Sequence, residues 1–271
     1  MVTPFSSDGS VDFDVAAQVA RYLVEQGSDG LVVAGSTGEG SSLSDQEKLD
    51  LFSCVAQAVN VPVLAGTSSS DTARSVALTS QVAATGVAGV LATTPAYARP
   101  NQSGIAAHLG AMAQSTPLGL MIYDIPSRTG RKVASATMID LVRKHVNVIA
   151  LKDASADLVS AAHTKAVLGD ELDLYSGDDA LLMPFMAIGA AGIVRSVQRG
   201  DWEQARALNE RVAPSCAFES TEQYPNPMPS KAAMRALGFA VGQCRLPHGP
   251  SDVALDLAAA DVIALLRGAR G

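Results

Sequence analysis

Short apolar runs alternate along most of the chain with longer stretches whose apolar positions recur at helical spacing. The runs are residues 29–35 (DGLVVAG), 61–66 (VPVLAG), 87–93 (VAGVLAT), 118–124 (LGLMIYD), 146–152 (VNVIALK), 172–177 (LDLYSG) and 191–194 (AGIV). MVTPF at the start reads as the stub of an eighth. Runs apolar on both faces, separated by helical patterns, predict a parallel sheet covered by helices. SDQEKLDLFSCVAQAV predicts one such helix, with Leu49, Phe52, Ala56 and Val59 on one face. Ser44 and Glu47 have the spacing of a capping box at its start. VDFDVAAQVARYLVEQG, ending at Gly27, and DTARSVALTSQVAA predict two more.

Eight strands alternating with helices predict an α/β fold, a (β/α)8 TIM barrel, rather than an open doubly wound sheet. No G-x-G-x-x-G follows the first strand, which weakens the dinucleotide-binding alternative. From Asp201 the strands stop, and DWEQARALNERVA, SKAAMRALGF and SDVALDLAAADVIALLRGA predict three helices. The expected division is a catalytic barrel over residues 1–200 and a helical appendage over 201–271. One unit is irregular. Only Arg195 to Gly200 separate the AGIV run from the next helix, and a parallel crossover needs about a dozen residues or more. The eighth helix is therefore expected to be missing, and the first strand is shortened at Met1.

Composition narrows the classes. The 271-residue chain is 48% hydrophobic and 17% charged, enough to bury a large core. A net charge of −7 argues against general nucleic-acid binding. Cys54, Cys216 and Cys244 lie far apart, and His108, His145, His163 and His248 form no metal-binding pair, so neither a disulfide scaffold nor a zinc site is expected. No signal peptide and no bilayer-length apolar run is evident, which makes the expected location cytoplasmic, with no membrane partner.

In a barrel, reactive groups collect at the C-terminal ends of the strands. Of six lysines, Lys48, Lys132, Lys144, Lys165 and Lys231 fall in polar loops or on polar helix faces; only Lys152 closes an apolar strand. Desolvation there lowers an amine's pKa and leaves more of it neutral, the form that attacks a ketone. The alternative is a lysine that reaches the rim and pairs with Asp153. Tyr123 ends the neighbouring strand, where its phenol can shuttle protons or simply cap the core. GSTGEG (35–40) exposes backbone N–H groups that can hold a carboxylate or phosphate, or is an ordinary strand-to-helix turn. SRTGRK gathers Arg128, Arg131 and Lys132 in an otherwise acidic chain. An arginine there can grip an anionic substrate, whereas Arg131 and Lys132 read as solvated. Asp178 and Asp179 in SGDDA read as acidic residues at a helix N-terminus rather than paired catalytic carboxylates.

VTPF, DGLVVAGSTGE, TPAYARP, YDIPSRTG, LKDASAD, SGDDA and PNPMPSKAAMRALG, in this order, span nearly the whole chain. The set resembles the dihydrodipicolinate synthase / N-acetylneuraminate lyase family of class I pyruvate-dependent aldolases. The resemblance implies that Lys152 forms a Schiff base with pyruvate and that no other cofactor is needed. It implies that Ser36 and Thr37 bind the pyruvate carboxylate, with Ile193 a further substrate contact. Tyr123 and Thr37 relay protons, and Tyr97 completes the relay from a neighbouring subunit of a homo-oligomer, a dimer of dimers by family habit.

Ser36 is common in the lyase branch. Arg128 and YSGDDA match the synthases, in which that arginine binds the carboxylate of aspartate semialdehyde. The implied reaction joins pyruvate to L-aspartate 4-semialdehyde, giving 4-hydroxy-tetrahydrodipicolinate on the route to diaminopimelate and lysine. The rivals are a lyase or 2-keto-3-deoxy sugar-acid aldolase with the same lysine chemistry, and a non-catalytic keto-acid-binding homologue. One tyrosine of a family pair is replaced by Ala96. The positions matching the lysine-inhibition site are Asp45, Lys48 and Arg74, whose cations are expected to repel lysine.

Overall fold

The computed structural model describes residues 1–191, 202–219 and 221–268. Among them are six strands, β1 (Leu31–Val33), β2 (Val63–Gly66), β3 (Gly89–Thr93), β4 (Gly119–Asp124), β5 (Val148–Asp153) and β6 (Asp173–Ser176). The intervening helices are α1 (Phe13–Glu25), α2 (Asp45–Ala58), α3 (Thr72–Gln81), α4 (Gln102–Gln114), the single turn α5 (Pro126–Thr129), α6 (Ser135–Lys144), α7 (Leu158–Leu168) and α8 (Leu182–Ala187). Three more, α9 (Trp202–Phe218), α10 (Met228–Ala236) and α11 (Val253–Gly268), close the chain. The alternation and the three final helices match the sequence pattern. The AGIV run after Ala191, with Ile193, and Arg195 to Gly200 lie outside the described residues.

The chain forms two compact units, one of residues 1–66, 84–87 and 210–271, the other of residues 67–83 and 88–209. In the first, β1 and β2 pair in parallel, with Leu31 opposite Val63. Asp12 caps α1 and accepts the Val15 N–H at 3.0 Å. Val19 of α1 packs with Val2, Met234 and Val241. Met228 and Ala232 of α10 pack with Leu255 and Ala259 of α11. The expected stub strand is corrected: Phe5 forms an isolated antiparallel bridge with Val11 rather than a parallel strand.

α2 opens as its sequence predicts. Ser44 Oγ accepts the Glu47 N–H at 3.2 Å, and Glu47 Oε2 accepts the Ser44 N–H at 2.8 Å. Its buried face is rotated from the expected one. Lys48, Leu51, Phe52 and Val55 are buried, whereas Leu49 and Ala56 are half-buried and Val59 lies beyond the helix. The apolar arc is wide enough for two stripes, and the one carrying the bulkier Leu51 and Val55 removes more area from water.

In the second unit β3, β4, β5 and β6 pair in parallel in chain order. Ile105, Leu109 and Met112 of α4 and Met138, Leu141 and Val142 of α6 are buried. No helix among the described residues is long and apolar enough to cross a membrane.

Replacing Ser44 with Ala removes one half of a reciprocal cap. Denaturant unfolding is expected to show a loss of about 1 kcal/mol with the m-value unchanged.

Candidate active site

Parallel pairing puts the C-terminal residues of four strands in one row. Thr93 of β3 is in register with Tyr123 of β4, Tyr123 with Lys152 of β5, and Lys152 with Tyr175 of β6. Side chains in register share a face of the sheet. The Lys152 Nζ accordingly stands 4.4 Å from the centroid of the buried Tyr123 ring. Burial pushes the amine's pKa below its ordinary value, while the charge of Asp179 pulls it partly back. The rim pairing with Asp153 is not formed: Asp153 is the next residue along, faces the other way and accepts the Ser155 N–H at 2.7 Å. The Asp178 carboxylate caps the turn after β6, accepting the Ala180 N–H at 3.0 Å, as expected of an acidic helix entry. Asp179 has the further electrostatic effect on Lys152 that the sequence reading assigned to neither residue.

One residue beyond this row, Asp124 is in register with Asp153, and both are buried. Burial raises Asp124 to about 7. The Val133 N–H, donated at 3.1 Å, opposes the rise; the charge of Asp153 adds to it, and Lys132 and Asp157 act in opposite senses. Lys132 is corrected from a solvated residue to the partner of Asp157, whose carboxylate also caps α7 and is held well below the usual carboxylate range.

Tyr97 lies on the loop after β3, 96% exposed, with a left-handed φ of 68°. This loop is braced against the one after β4. Arg99 Nε donates to the Gly130 carbonyl at 3.2 Å, and Arg131 Nε to the Arg99 carbonyl at 3.0 Å. Arg131 is thus bonded to the chain rather than only solvated. Arg128 sits exposed on α5, five residues beyond Tyr123.

Ser36 and Thr37 belong to the first unit, in the turn after β1. The turn is tight. A Cβ on Gly40 would lie 2.0 Å from the Ala34 carbonyl oxygen, so its glycine is sterically required. The Glu39 N–H donates to the Ser36 carbonyl at 3.1 Å, and Glu39 itself has a left-handed φ of 52°.

Two lysines read as polar from the sequence are buried, Lys48 and Lys231. Lys231 Nζ stands 2.7 Å from Glu39 Oε1, both side chains having no exposure. Their spacing in the chain hides the pair from any local pattern. Among the described residues no group of three or more His, Cys, Asp or Glu side chains is arranged to hold a metal.

Asp124→Asn tests the buried carboxyl. Its folded pKa is raised, so its ionisation costs the fold stability progressively as pH rises from about 4 to about 7, and the cost is constant above that. The variant is expected to gain on the native protein across that window, by on the order of 4 kcal/mol, and to match it below pH ~4. Urea unfolding at a series of pH values measures the difference.

Residues 1–264 match the family model described as the Dihydrodipicolinate synthetase family. The 4-hydroxy-tetrahydrodipicolinate synthase of Prochlorococcus marinus (strain MIT 9303) is 42% identical, over 93% of this chain and 88% of that one. The crystal structure of the dihydrodipicolinate synthase of Cyanidioschyzon merolae, with lysine bound, superposes with a TM-score of 0.93 at 35% identity, covering 98% of this chain and 96% of that one. The Acinetobacter baumannii enzyme, complexed with pyruvate, gives 0.90 at 27% identity, over 98% and 97%. The sheet is therefore of the TIM-barrel-like kind. With a half-buried amine against a phenol at the end of β5 and a matching pattern across nearly its full length, the chain belongs to the dihydrodipicolinate synthetase family.

Proposed function

We propose that the chain is a Schiff-base-forming lyase that condenses pyruvate with L-aspartate 4-semialdehyde to give 4-hydroxy-tetrahydrodipicolinate. The observation that carries the reading is the Lys152 amine, depressed in pKa by burial and set 4.4 Å from the Tyr123 ring. The neutral amine attacks the ketone carbon of pyruvate, and the resulting carbinolamine loses water to give an imine. Tyr123, with Thr37 and Tyr97, moves the protons that this loss requires. Removal of a methyl proton gives an enamine whose carbon attacks the aldehyde. The amine of the semialdehyde then displaces Lys152 and closes the ring.

Ser36 and Thr37 take the pyruvate carboxylate on a turn rich in backbone N–H groups, and Ile193 is assigned a substrate contact through the family likeness. Arg128, on the loop after β4, binds the carboxylate of the semialdehyde. Tyr97, 96% exposed on this chain, is assigned through the family likeness to act in a neighbouring copy of a homo-oligomer, for which we infer a dimer of dimers. The complete fold on this reading is a (β/α)8 barrel lacking its eighth helix, with a C-terminal helical appendage. The free cysteines Cys54, Cys216 and Cys244 fit a cytoplasmic setting.

Borohydride reduction in the presence of pyruvate, followed by peptide mass mapping, is expected to leave a pyruvyl adduct on Lys152, and Lys152→Ala to abolish it with activity. An adduct on no lysine rejects the reading. A coupled assay with aspartate semialdehyde against sugar-acid aldehydes then separates the synthase from the aldolases sharing its chemistry.

Feedback by lysine is expected to be absent. The positions that match the inhibitor site through the family likeness are Asp45, Lys48 and Arg74, and like charges disfavour a cationic ligand. The rate should be unchanged by millimolar lysine; half-inhibition at sub-millimolar lysine would refute this.

A further inference from the structure

The buried Glu39–Lys231 pair is the least expected feature of the first unit. Lys231 Nζ lies 2.7 Å from Glu39 Oε1, donates to the Gln243 carbonyl at 2.8 Å and stands 4.0 Å from the centre of the Phe5 ring. The second carboxylate oxygen of Glu39 accepts the Arg245 N–H at 2.8 Å. Arg245 stacks on the same Phe5 ring at 4.3 Å and bonds Glu47 at 2.5 Å, which draws the Glu47 pKa down to about 2. Arg245 also donates to the carbonyls of Ser42 and Gly9, at 2.8 Å and 2.7 Å.

Two cations from the C-terminal segment thus bracket one aromatic ring; one reaches Glu39, within the turn that carries Ser36 and Thr37, and the other Glu47, in the first turn of α2. A buried ion pair is a poor source of net stability, because desolvating both charges offsets most of their attraction. What such a pair supplies well is a fixed geometry. Here the geometry it fixes belongs to Glu39, a non-glycine residue in the left-handed region whose own N–H closes the turn onto the Ser36 carbonyl. The residue just before Glu39 is held as well: Thr3 Oγ1 donates to the Gly38 carbonyl at 2.6 Å.

We propose that the Glu39–Lys231 pair is a positioning device for substrate carboxylate binding. On this account α10 belongs to the binding machinery, because its lysine sets the conformation of the turn that presents Ser36 and Thr37. The proposal rests on the reading that this turn receives the carboxylate of pyruvate. Neither Glu39 nor Lys231 touches the substrate. Loosening the pair disorders the turn before binding and weakens ground-state and transition-state binding alike, so the half-saturation for pyruvate rises while kcat holds.

The test compares the full-length protein with Glu39→Gln, Lys231→Met and the double variant E39Q/K231M. It measures thermal unfolding, steady-state kinetics with pyruvate varied, and the pyruvate dependence of borohydride trapping on Lys152. Lys231→Met strands a buried carboxylate and is expected to lower the melting temperature, in the extreme preventing folding. The double variant removes both charges and is expected to melt near the native temperature. It should nevertheless need about tenfold more pyruvate for half-maximal rate and trapping, with kcat within about threefold of native.

A purely structural pair predicts the reverse, with kinetics recovering together with stability. A stable double variant with native half-saturation for pyruvate therefore overturns the positioning role alone. Failure of the native protein to form any Lys152 adduct overturns the underlying reading, and the proposal with it.

Discussion

The chemistry proposed for this chain depends on how little water reaches the Lys152 amine. Three influences act on it. Burial disfavours the ammonium and can move a lysine by several pKa units. The Tyr123 ring, 4.4 Å away, attracts a cation, an effect of about 0.5–2 kcal/mol. Asp179 also favours the charged form. Asp179 opposes burial, yet the movement is downward, because desolvation outweighs that charge. A free base near neutrality is the condition for carbonyl attack. The strand moves the amine toward that condition by ending a buried run with a lysine.

The same alternation that places this amine also separates it from two carboxylates. Tyr123 and Lys152 share one face of the sheet; Asp124 and Asp153, each one residue further on, share the other. Burial acts on both rows in opposite chemical senses, lowering a base and raising an acid to about 7. Ion pairing between Lys152 and its sequence neighbour would have held the amine charged. A period of two residues prevents it. In the first unit the opposite solution appears, with a lysine and a glutamate buried together and kept in contact.

Much of this was legible because it is local. Six apolar runs became strands, the Ser44 box formed, and Lys152 stood out as the lysine closing an apolar run. Its contact with Tyr123 followed from neighbouring strands ending in register. What was missed is non-local. Lys231 looks polar on its own helix, and only a glutamate 192 positions earlier explains its burial. Lys48 was misread for a related reason, since α2 carries two possible apolar stripes and packing chose the one that includes it. The raised Asp124 comes from burial first and from Asp153 second, and Asp153 faces it only once β4 and β5 are paired. Phe5 joined no parallel strand; it became the ring on which two distant cations rest.

The most direct measurement is the titration of the Lys152 amine itself. In protein carrying 13C at the lysine ε-carbons, with Lys152→Arg used for assignment, NMR follows each lysine through its ionisation. The account requires the Lys152 resonance to titrate clearly below about 10.4, the value of an unperturbed lysine side chain. A Lys152 resonance that titrates at or above that value would mean that the amine is solvated and charged at neutral pH, and the central claim would fall.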